Sequence, residues 1–323
     1  MSDQPIFITG ANGYVGRNLT RYFIATGRPV IGMVRSAAAA ELVRSLGARP
    51  VIGDMLTGDL APLMAGAESM IHAAARLDHS AGRDALAANR DGTARVMAAA
   101  QQAGISAVVH LSTDSVLQAG QPLRDVDETA PYPARPAGAY SAGKAEAERI
   151  ALAAAKAIRV MILRPRMVWG RDDGTALPTL VRMVKTGRFA WISGGDYLSS
   201  ATHIANLSHA VDLALERGRT GEINHITDGP VRTFRETVTG LLATQGLIVP
   251  DKSVPRTVLR LLARVGDGLY RASRGRLKGP LSFQEYATSA VEISLNTDKA
   301  LPELDYRPVI SWDEGLEDIR LGI

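Results

Sequence analysis

A glycine-rich stretch near the start of the chain reads Gly10-Ala11-Asn12-Gly13-Tyr14-Val15-Gly16. It follows an apolar, strand-like run at residues 5–9 and opens a helical segment that extends through Phe23. Glycines at this spacing permit a tight turn, close approach of a pyrophosphate and close packing of helix on strand. Phosphate oxygens then meet the free N–H groups at the positive end of the helix. The stretch therefore predicts a dinucleotide site that includes Gly10, Asn12, Gly13, Tyr14, Val15 and Gly16, with a plain strand-to-helix turn as the alternative.

Short apolar runs recur with helix-like segments between them, at residues 5–9, 29–34, 49–52, 69–73, 107–111 and 160–163. This alternation is typical of a parallel sheet covered by helices on both faces. We therefore predict an α/β fold with a doubly wound parallel sheet of the Rossmann type. The dinucleotide-binding domain is predicted over residues 1–165. A smaller, mainly substrate-binding region is predicted over residues 166–323, with some of its segments returning to the sheet.

The composition excludes several classes of protein. The 323 residues are 46% hydrophobic and 22% charged, and they include no cysteine. Disulfide scaffolds, cysteine nucleophiles and thiolate metal sites are therefore excluded, and the six histidines lack metal-ligand spacing, so no metal is predicted. A net charge of +4 is too small an excess to indicate a nucleic-acid partner. Neither a secretory signal nor a transmembrane segment is visible, and we expect a cytoplasmic protein.

The end of the second predicted strand bears on the choice of dinucleotide. An acidic residue about 20 positions after the glycines would hold the ribose 2′-OH of NAD. The sequence there is Val34-Arg35-Ser36, and the first carboxylate is Glu41. Arg35 can pair with a 2′-phosphate and Ser36 can donate to it, so we predict that NADP(H) is preferred. NAD(H) remains the alternative, with Arg35 stacked on the adenine.

A tyrosine and a lysine lie four residues apart, at Tyr140 and Lys144, near the start of a helix predicted to reach about Ala155. This spacing puts both side chains on one helical face. A fixed cation lowers the pKa of a nearby phenol, which normally is about 10. The pair suits acid–base chemistry on a carbonyl or alcohol oxygen, although surface pairs share this spacing. Thr113 follows the fifth predicted strand, where its hydroxyl can face a substrate oxygen or cap the turn.

Together these motifs resemble the extended short-chain dehydrogenases/reductases of the NAD(P)-dependent epimerase/dehydratase group, over nearly the whole chain. The family's G-x-x-G-x-x-G corresponds to Gly10, Gly13 and Gly16, and its Y-x-x-x-K to Tyr140 and Lys144. Further matches are the acidic residue after the third strand at Asp54, H-x-A-A at His72-Ala73-Ala74-Ala75, an N-x-x-G-T turn at Asn89-Arg90-Asp91-Gly92-Thr93, and R-P-x-x-x-y-G starting at Arg164-Pro165.

The resemblance implies a role for each matched residue. Tyr140 would exchange a proton with the substrate oxygen while a hydride moves to or from the nicotinamide. Lys144 would hold the ribose hydroxyls and lower the pKa of the tyrosine, and Thr113 would hydrogen-bond the substrate oxygen. The other implied cofactor contacts are Asp54, Met55, Ala73, Ala74, Ala75 and Pro165. His72 is interpreted as a core histidine that only marks the motif, and a homodimer is expected.

The residues bear on the branch of the family as well. Ser112-Thr113-Asp114 resembles the S-T-D-E of dehydratases, but Ser115 stands where the glutamate base would be. We therefore predict an NAD(P)(H)-dependent oxidoreductase that interconverts a ketone and a secondary alcohol on a rather apolar small molecule, as 3β-hydroxysteroid dehydrogenase-like ketoreductases do. The alternative enzyme is a sugar-nucleotide epimerase or dehydratase with tightly bound NAD. A redox-sensing binding module is the non-enzymatic alternative.

A basic amphipathic segment at residues 255–278 adds a separate question. Its apolar residues and its arginines fall on different sides of a predicted helix. Packing on a core, a lid over a hydrophobic substrate, contact with a membrane surface and a solvated basic face all remain open.

Overall fold

The computed structural model describes residues 4–76, 84–277, 279 and 281–322. The strands, in chain order, are β1 (Ile6–Thr9), β2 (Val30–Val34), β3 (Arg49–Ile52), β4 (Ser69–His72), β5 (Ala107–Leu111), β6 (Leu123–Val126), β7 (Arg159–Pro165), β8 (Val168–Trp169), β9 (Trp191–Ile192), β10 (Leu198–Ser199), β11 (Thr202–His203), β12 (Ile223–Ile226), β13 (Arg232–Thr233), β14 (Ser253–Val254) and β15 (Ile293–Leu295).

The α-helices are α1 (Tyr14–Ala25), α2 (Ala37–Ser45), α3 (Asp84–Gln102), α4 (Ala139–Ala154), α5 (Ala176–Lys185), α6 (Ile204–Arg217), α7 (Phe234–Ala243), α8 (Arg256–Ala272), α9 (Phe283–Ser289), α10 (Ala300–Leu304) and α11 (Trp312–Leu321). Short 3-10 turns occur at Ala61–Met64, Asp114–Leu117 and Ser193–Gly195. Within the described ranges, no helix has the length and apolar character needed to cross a bilayer.

Seven strands form one parallel sheet in the order β12-β7-β5-β4-β1-β2-β3. This confirms the predicted doubly wound fold. The direction of winding reverses between β1 and β4, and in such sheets ligands bind in the crevice at the carboxyl ends of the strands beside this point. The edge strand β12 comes from the later part of the chain, while the division into domains at residue 165 stays a prediction.

The two faces of the sheet explain the consecutive apolar residues of its strands. In β1, Ile6 and Ile8 pack with Leu19 of α1 and Val211 of α6, whereas Phe7 belongs to the core on the opposite face. That second core also includes side chains of α3 and α4. Because helices cover both faces, every position of β1 is buried, and no alternation of polar and apolar residues survives.

A smaller sheet lies beside the carboxyl end of the large one. Its order is β13-β10-β15-β6, so it combines one strand from the first half of the chain with three from the second. Its core joins Val116, which follows β5, to Ala145 of α4 and to Tyr286 of α9. The C-terminal part of the chain therefore packs directly against the elements that carry Thr113 and Tyr140.

Candidate active site

The glycine-rich turn after β1 needs two of its three glycines for the fold itself. Gly10 has a φ of +70°, and a Cβ there would lie 2.9 Å from the Cα of Ala74. A Cβ on Gly16 would lie 2.2 Å from the carbonyl oxygen of Gly10. Gly13 differs, because its Cβ would meet only that same oxygen, at 3.2 Å. Packing within the protein therefore accounts for Gly10 and Gly16 but leaves space beside Gly13.

The turn fits a pyrophosphate. Asn12 and Gly13 are exposed, and Gly13, at the N-cap of α1, has no side chain to cover the first N–H groups of the helix. Those N–H groups, on Tyr14, Val15 and Gly16, have no intrahelical acceptor. They are available to an anion at the positive end of the helix. The phenol of Tyr14 is buried, and burial together with the charges of residues 172, 173 and 228 raises its pKa.

Arg35 lies exposed just beyond the carboxyl end of β2 and makes no ion pair with any carboxylate that the structure describes. Ser36 is the N-cap of α2, and its hydroxyl oxygen accepts the N–H of Ala39 at 3.3 Å. The hydroxyl hydrogen of Ser36 is not used by this cap. The pair therefore combines a free guanidinium with a helix N-terminus, which suits a phosphate group.

Asp54 and Met55, in the turn after β3, have clear local contacts. Asp54 accepts the N–H of Leu56 at 2.9 Å, which stabilises the turn that Asp54 begins. Met55 lies against α3, where a Cβ on Gly92 would come within 2.7 Å of its sulfur atom. Their contact with a cofactor stays a prediction.

The loop after β4 is held by side chains from β1 and α3. The Thr9 hydroxyl accepts the N–H of Ala74 at 3.1 Å and lies 2.8 Å from Nδ1 of His72, while Nε2 of His72 lies 3.0 Å from the Thr93 hydroxyl. Burial lowers the pKa of His72 to about 3. His72 is thus a neutral, fully bonded core histidine, as the sequence predicted.

Residues 89–93 were expected to form a turn, and this expectation is wrong. They lie inside α3, where Asn89 accepts the N–H of Arg76 at 2.7 Å and donates to its carbonyl oxygen at 3.2 Å. A helical asparagine with both amide groups engaged therefore fixes the end of the loop that carries Ala73, Ala74 and Ala75.

The structure brings Thr113, Tyr140 and Lys144 together at the carboxyl end of β5. Tyr140 is buried in the first turn of α4, and its hydroxyl group hydrogen-bonds the side chain of Thr113. Lys144 lies one turn further along α4, and its Nζ donates to the carbonyl oxygen of Leu111 at 2.6 Å. The predicted Tyr–Lys spacing is thus part of a buried polar cluster and not of a surface pair.

The expected lowering of the tyrosine pKa does not occur in the protein alone. Burial raises the pKa of Tyr140 above its ordinary value, and the charge of Asp114 raises it further. The hydrogen bond with Thr113 acts in the opposite direction, and the Lys144 ammonium is not among the causes of the shift. The prediction is wrong because it counted one cation and omitted the loss of water around the phenol. At neutral pH the phenol is protonated, as a phenol of ordinary pKa also is.

Lys144 is itself perturbed by its surroundings. Burial lowers the pKa of Lys144 to about 8, while the nearby Glu148 carboxylate favours the charged form. Glu148 makes a bidentate ion pair with Arg164 of β7, with distances of 2.9 and 2.8 Å, and accepts from Tyr132 at 2.6 Å. Residues 140, 144 and 148 lie on one face of α4. The ion pair between Glu148 and Arg164 thus connects the polar cluster of Tyr140 and Lys144 to strand β7 of the sheet. The four-residue spacing of Glu148 from Lys144 was a signal that our sequence analysis did not use.

Asp114 is engaged by several partners. Its Oδ2 accepts from Arg166 at 2.9 Å and from Gln118 at 2.5 Å, and its Oδ1 accepts from the Thr113 hydroxyl at 3.2 Å. Ser115, at the position of the dehydratase base, lies 2.7 Å from the hydroxyl of Ser141. Sequence reasoning missed Arg166, since 52 residues separate it from Asp114.

A glycine-rich turn at the start of α1 and a Thr–Tyr–Lys cluster, both at the carboxyl edge of a doubly wound sheet, are typical of NAD(P)-dependent oxidoreductases. The chain belongs to the NAD-dependent epimerase/dehydratase family, whose model matches residues 6–227. It is thus an extended short-chain dehydrogenase/reductase, and an NAD(P)-dependent oxidoreductase.

Two relatives and one solved structure illustrate the similarity. A 4-hydroxy-2-methyl-3-oxo-4-farnesyl-3,4-dihydroquinoline-1-oxide ketoreductase from Stigmatella aurantiaca is 40% identical over 318 residues, which cover 97% of this chain and 95% of the relative. A 3-beta-hydroxysteroid dehydrogenase from Mycolicibacterium neoaurum is 26% identical, with coverage of 97% and 89%. A dTDP-glucose 4,6-dehydratase double mutant from Streptomyces venezuelae, solved with NAD and DAU bound, has a TM-score of 0.76 at 24% identity, with coverage of 98% and 96%.

Proposed function

We propose that the protein uses NADPH to reduce a ketone on a lipophilic small molecule to a secondary alcohol. The observation that carries the proposal is the cluster at the carboxyl end of β5, where the Tyr140 hydroxyl hydrogen-bonds Thr113 and Lys144 lies one turn further along α4. The proposed substrate class is supported by the relative from Stigmatella aurantiaca, whose name specifies a farnesylated ketone.

In the proposed mechanism, Tyr140 donates its proton to the oxygen that gains negative charge, while Thr113 holds that oxygen. Both hydroxyls lie together, since they hydrogen-bond each other. The single hydroxyl hydrogen of Thr113, which is donated to Asp114 in the free protein, would turn to the substrate oxygen. Lys144 would hold the ribose, and the turn from Gly10 to Gly16, with Asp54, Met55, Ala73, Ala74, Ala75 and Pro165, would line the rest of the dinucleotide. The nicotinamide, when bound, supplies the hydride.

The engagement of Asp114 disfavours the alternative of a dehydratase. An acid that assists elimination must be able to approach the substrate. Asp114 is buried and accepts from Arg166, Gln118 and Thr113, and Ser115 supplies no carboxylate. An epimerase remains the second candidate, because the dinucleotide crevice alone serves either reaction.

The preference for NADP(H) rests on Arg35, whose exposed guanidinium follows β2 where NAD-specific sites hold an acidic residue. From the family resemblance, we also propose that the protein is a homodimer and is located in the cytoplasm.

The test is an assay of the purified chain with NADPH and a panel of ketones, from short and water-soluble to prenylated and steroidal, followed at the absorbance of the reduced nicotinamide. We expect one NADPH consumed for each alcohol formed, with the highest kcat/KM for the lipophilic ketones. Tightly retained NAD, with turnover of sugar nucleotides and no net consumption of dinucleotide, would support the epimerase instead.

A further inference from the structure

Helix α8 exposes a continuous apolar stripe. Five large apolar side chains of this helix are between 43% and 64% exposed, namely Val258, Leu261, Leu262, Val265 and Leu269. At 3.6 residues per turn they fall within about 100° of one another around the helix axis. Single exposed leucines are common on protein surfaces, but a contiguous apolar patch marks an interaction site.

Packing on another side of α8 fixes the direction of this stripe. Ala263 and Gly266 are buried, and a Cβ on Gly266 would lie 3.0 Å from the carbonyl oxygen of Leu281 and 3.2 Å from the Cα of Gly279. The backbones are too close for the helix to roll about its axis without losing this contact. The stripe therefore faces outward as part of the fold, which disfavours a lid that turns inward.

Exposed arginines lie beyond one edge of the stripe, on a further side of the helix. They are Arg260, Arg264 and Arg271 on α8, followed by Arg274 and Arg276 in the turn after it, and the guanidinium of Arg264 lies over the Phe283 ring, 5.6 Å from its centroid. None of the five makes an ion pair with a carboxylate in the part of the chain that the structure describes. Lys278, also expected in this basic segment, lies outside the described residues.

The positive charge of the chain is concentrated in this segment. Residues 256–277 contain six arginines and one aspartate, an excess that is larger than the net charge of +4 of the whole chain. The remainder of the protein is therefore close to neutral. A second copy of the chain is a poor occupant of this face, because two basic borders would then approach each other.

We propose that this face of α8, formed by the five apolar side chains and the bordering arginines, binds an anionic lipid bilayer. The apolar stripe would enter the boundary between headgroups and acyl chains, and the arginines would contact anionic headgroups. The packing side of α8 contacts α9, whose Gln284 donates to the Ser141 hydroxyl at 2.9 Å, next to Tyr140 in α4, so two helix contacts separate the face from Tyr140. The inference does not depend on the reaction proposed above.

The test is co-sedimentation of the full chain with vesicles of phosphatidylcholine, with and without phosphatidylglycerol. We expect binding to the mixed vesicles only, with release by salt. Arg260→Gln and Arg271→Gln should each weaken the partition coefficient about five-fold, which corresponds to ~1 kcal/mol per basic residue. The double variant Leu261→Glu, Val265→Glu should weaken it about ten-fold or more, because two carboxylates would enter the apolar boundary.

Matched controls lie in the loop after α10, where Val309 and Arg307 are also exposed. Val309→Glu and Arg307→Gln should bind like the wild type, and circular dichroism should verify that all variants are folded. Absence of binding to the mixed vesicles at low salt, or wild-type binding by the α8 variants, would overturn the proposal. Self-association that Leu261→Glu abolishes, without vesicle binding, would assign the face to a second copy instead.

Discussion

Lys144 is a charged group that the fold holds in a buried position. Its pKa of about 8 lies below the ordinary 10.5, so the unfolded chain binds more protons than the folded one between these two pH values. Stability therefore rises with pH over this window, and the full cost of burying the charge is present below pH 8. This cost is about 3 kcal/mol, offset in part by the hydrogen bond to Leu111.

Lys144→Met should accordingly stabilise the cofactor-free protein at pH 7 by about 1–2 kcal/mol while it abolishes catalysis. Urea unfolding of the variant and of the wild type measures the change. Lys185→Met, at an exposed lysine of α5, is the control and should alter stability by less than about 0.5 kcal/mol. A Lys144→Met protein less stable than the wild type would contradict this account of the buried charge.

Arg35 is the residue on which the choice of dinucleotide depends. Arg35→Gln should raise the KM for NADPH by about 10–100-fold, because a charge-assisted hydrogen bond contributes about 1.5–3 kcal/mol, and leave the KM for NADH within a few-fold. Steady-state kinetics with both dinucleotides checks this. Arg44→Gln, at the far end of α2, should change neither constant. An equal effect on NADPH and NADH would mean that Arg35 does not contact the 2′-phosphate.

The glycines of the turn between β1 and α1 have two different roles, one in the fold and one in the cofactor site. Gly13→Ala adds a Cβ that meets only one oxygen, at 3.2 Å, so the fold should tolerate it while the pyrophosphate loses its space. Gly16→Ala places a Cβ 2.2 Å from the Gly10 oxygen and should destabilise the fold itself. We expect Gly13→Ala to lower NADPH affinity by about ten-fold or more at a Tm near that of the wild type. Calorimetry showing unchanged affinity would remove the turn from the cofactor site.

The elements of the site differ in how far their positions could be predicted from sequence. The turn at Gly10 and the pair at Tyr140 and Lys144 were predictable, because each depends on a local pattern with its own geometry. The Arg166–Asp114 pair and the Gln284–Ser141 bond were not, since 52 and 143 residues separate their partners. Such contacts depend on how the C-terminal region packs against α4. No local sequence pattern indicates that packing.

The raised pKa of Tyr140 was unpredictable for a related reason. The spacing of Tyr140 and Lys144 gives the position of a cation, but the degree of burial depends on the whole structure around α4. The same limitation applies to Asp114, whose charge acts on the phenol only because the chain after β5 turns back toward α4.

Across the whole molecule, buried histidines make stability depend on pH. Burial lowers the pKa of His72 to about 3 and of His203 to about 4, and it lowers the pKa of His110 well below its ordinary value. Below pH 6.5 the unfolded chain then binds more protons, so stability falls as the pH decreases. Between pH 6.5 and 5 the loss should be about 2 kcal/mol for each such histidine.

His110→Leu isolates one of these contributions. Neither ring nitrogen of His110 has a hydrogen-bond partner among the described residues, so leucine removes the titration without breaking such a bond. Urea unfolding at pH 7.5 and at pH 5 measures how much stability each protein loses between these two pH values. This loss should be smaller by about 2 kcal/mol in the variant than in the wild type. An identical pH dependence in both proteins would mean that His110 is not buried as a neutral ring.

Tyr140→Phe tests the account most directly, when its turnover of a lipophilic ketone is measured beside its affinity for NADPH. The substitution removes the proton donor and keeps the ring that packs in α4. We predict a loss of about 10²–10⁴-fold in kcat with nearly unchanged NADPH affinity. Turnover like that of the wild type would contradict the assignment of Tyr140 as the group that protonates the substrate.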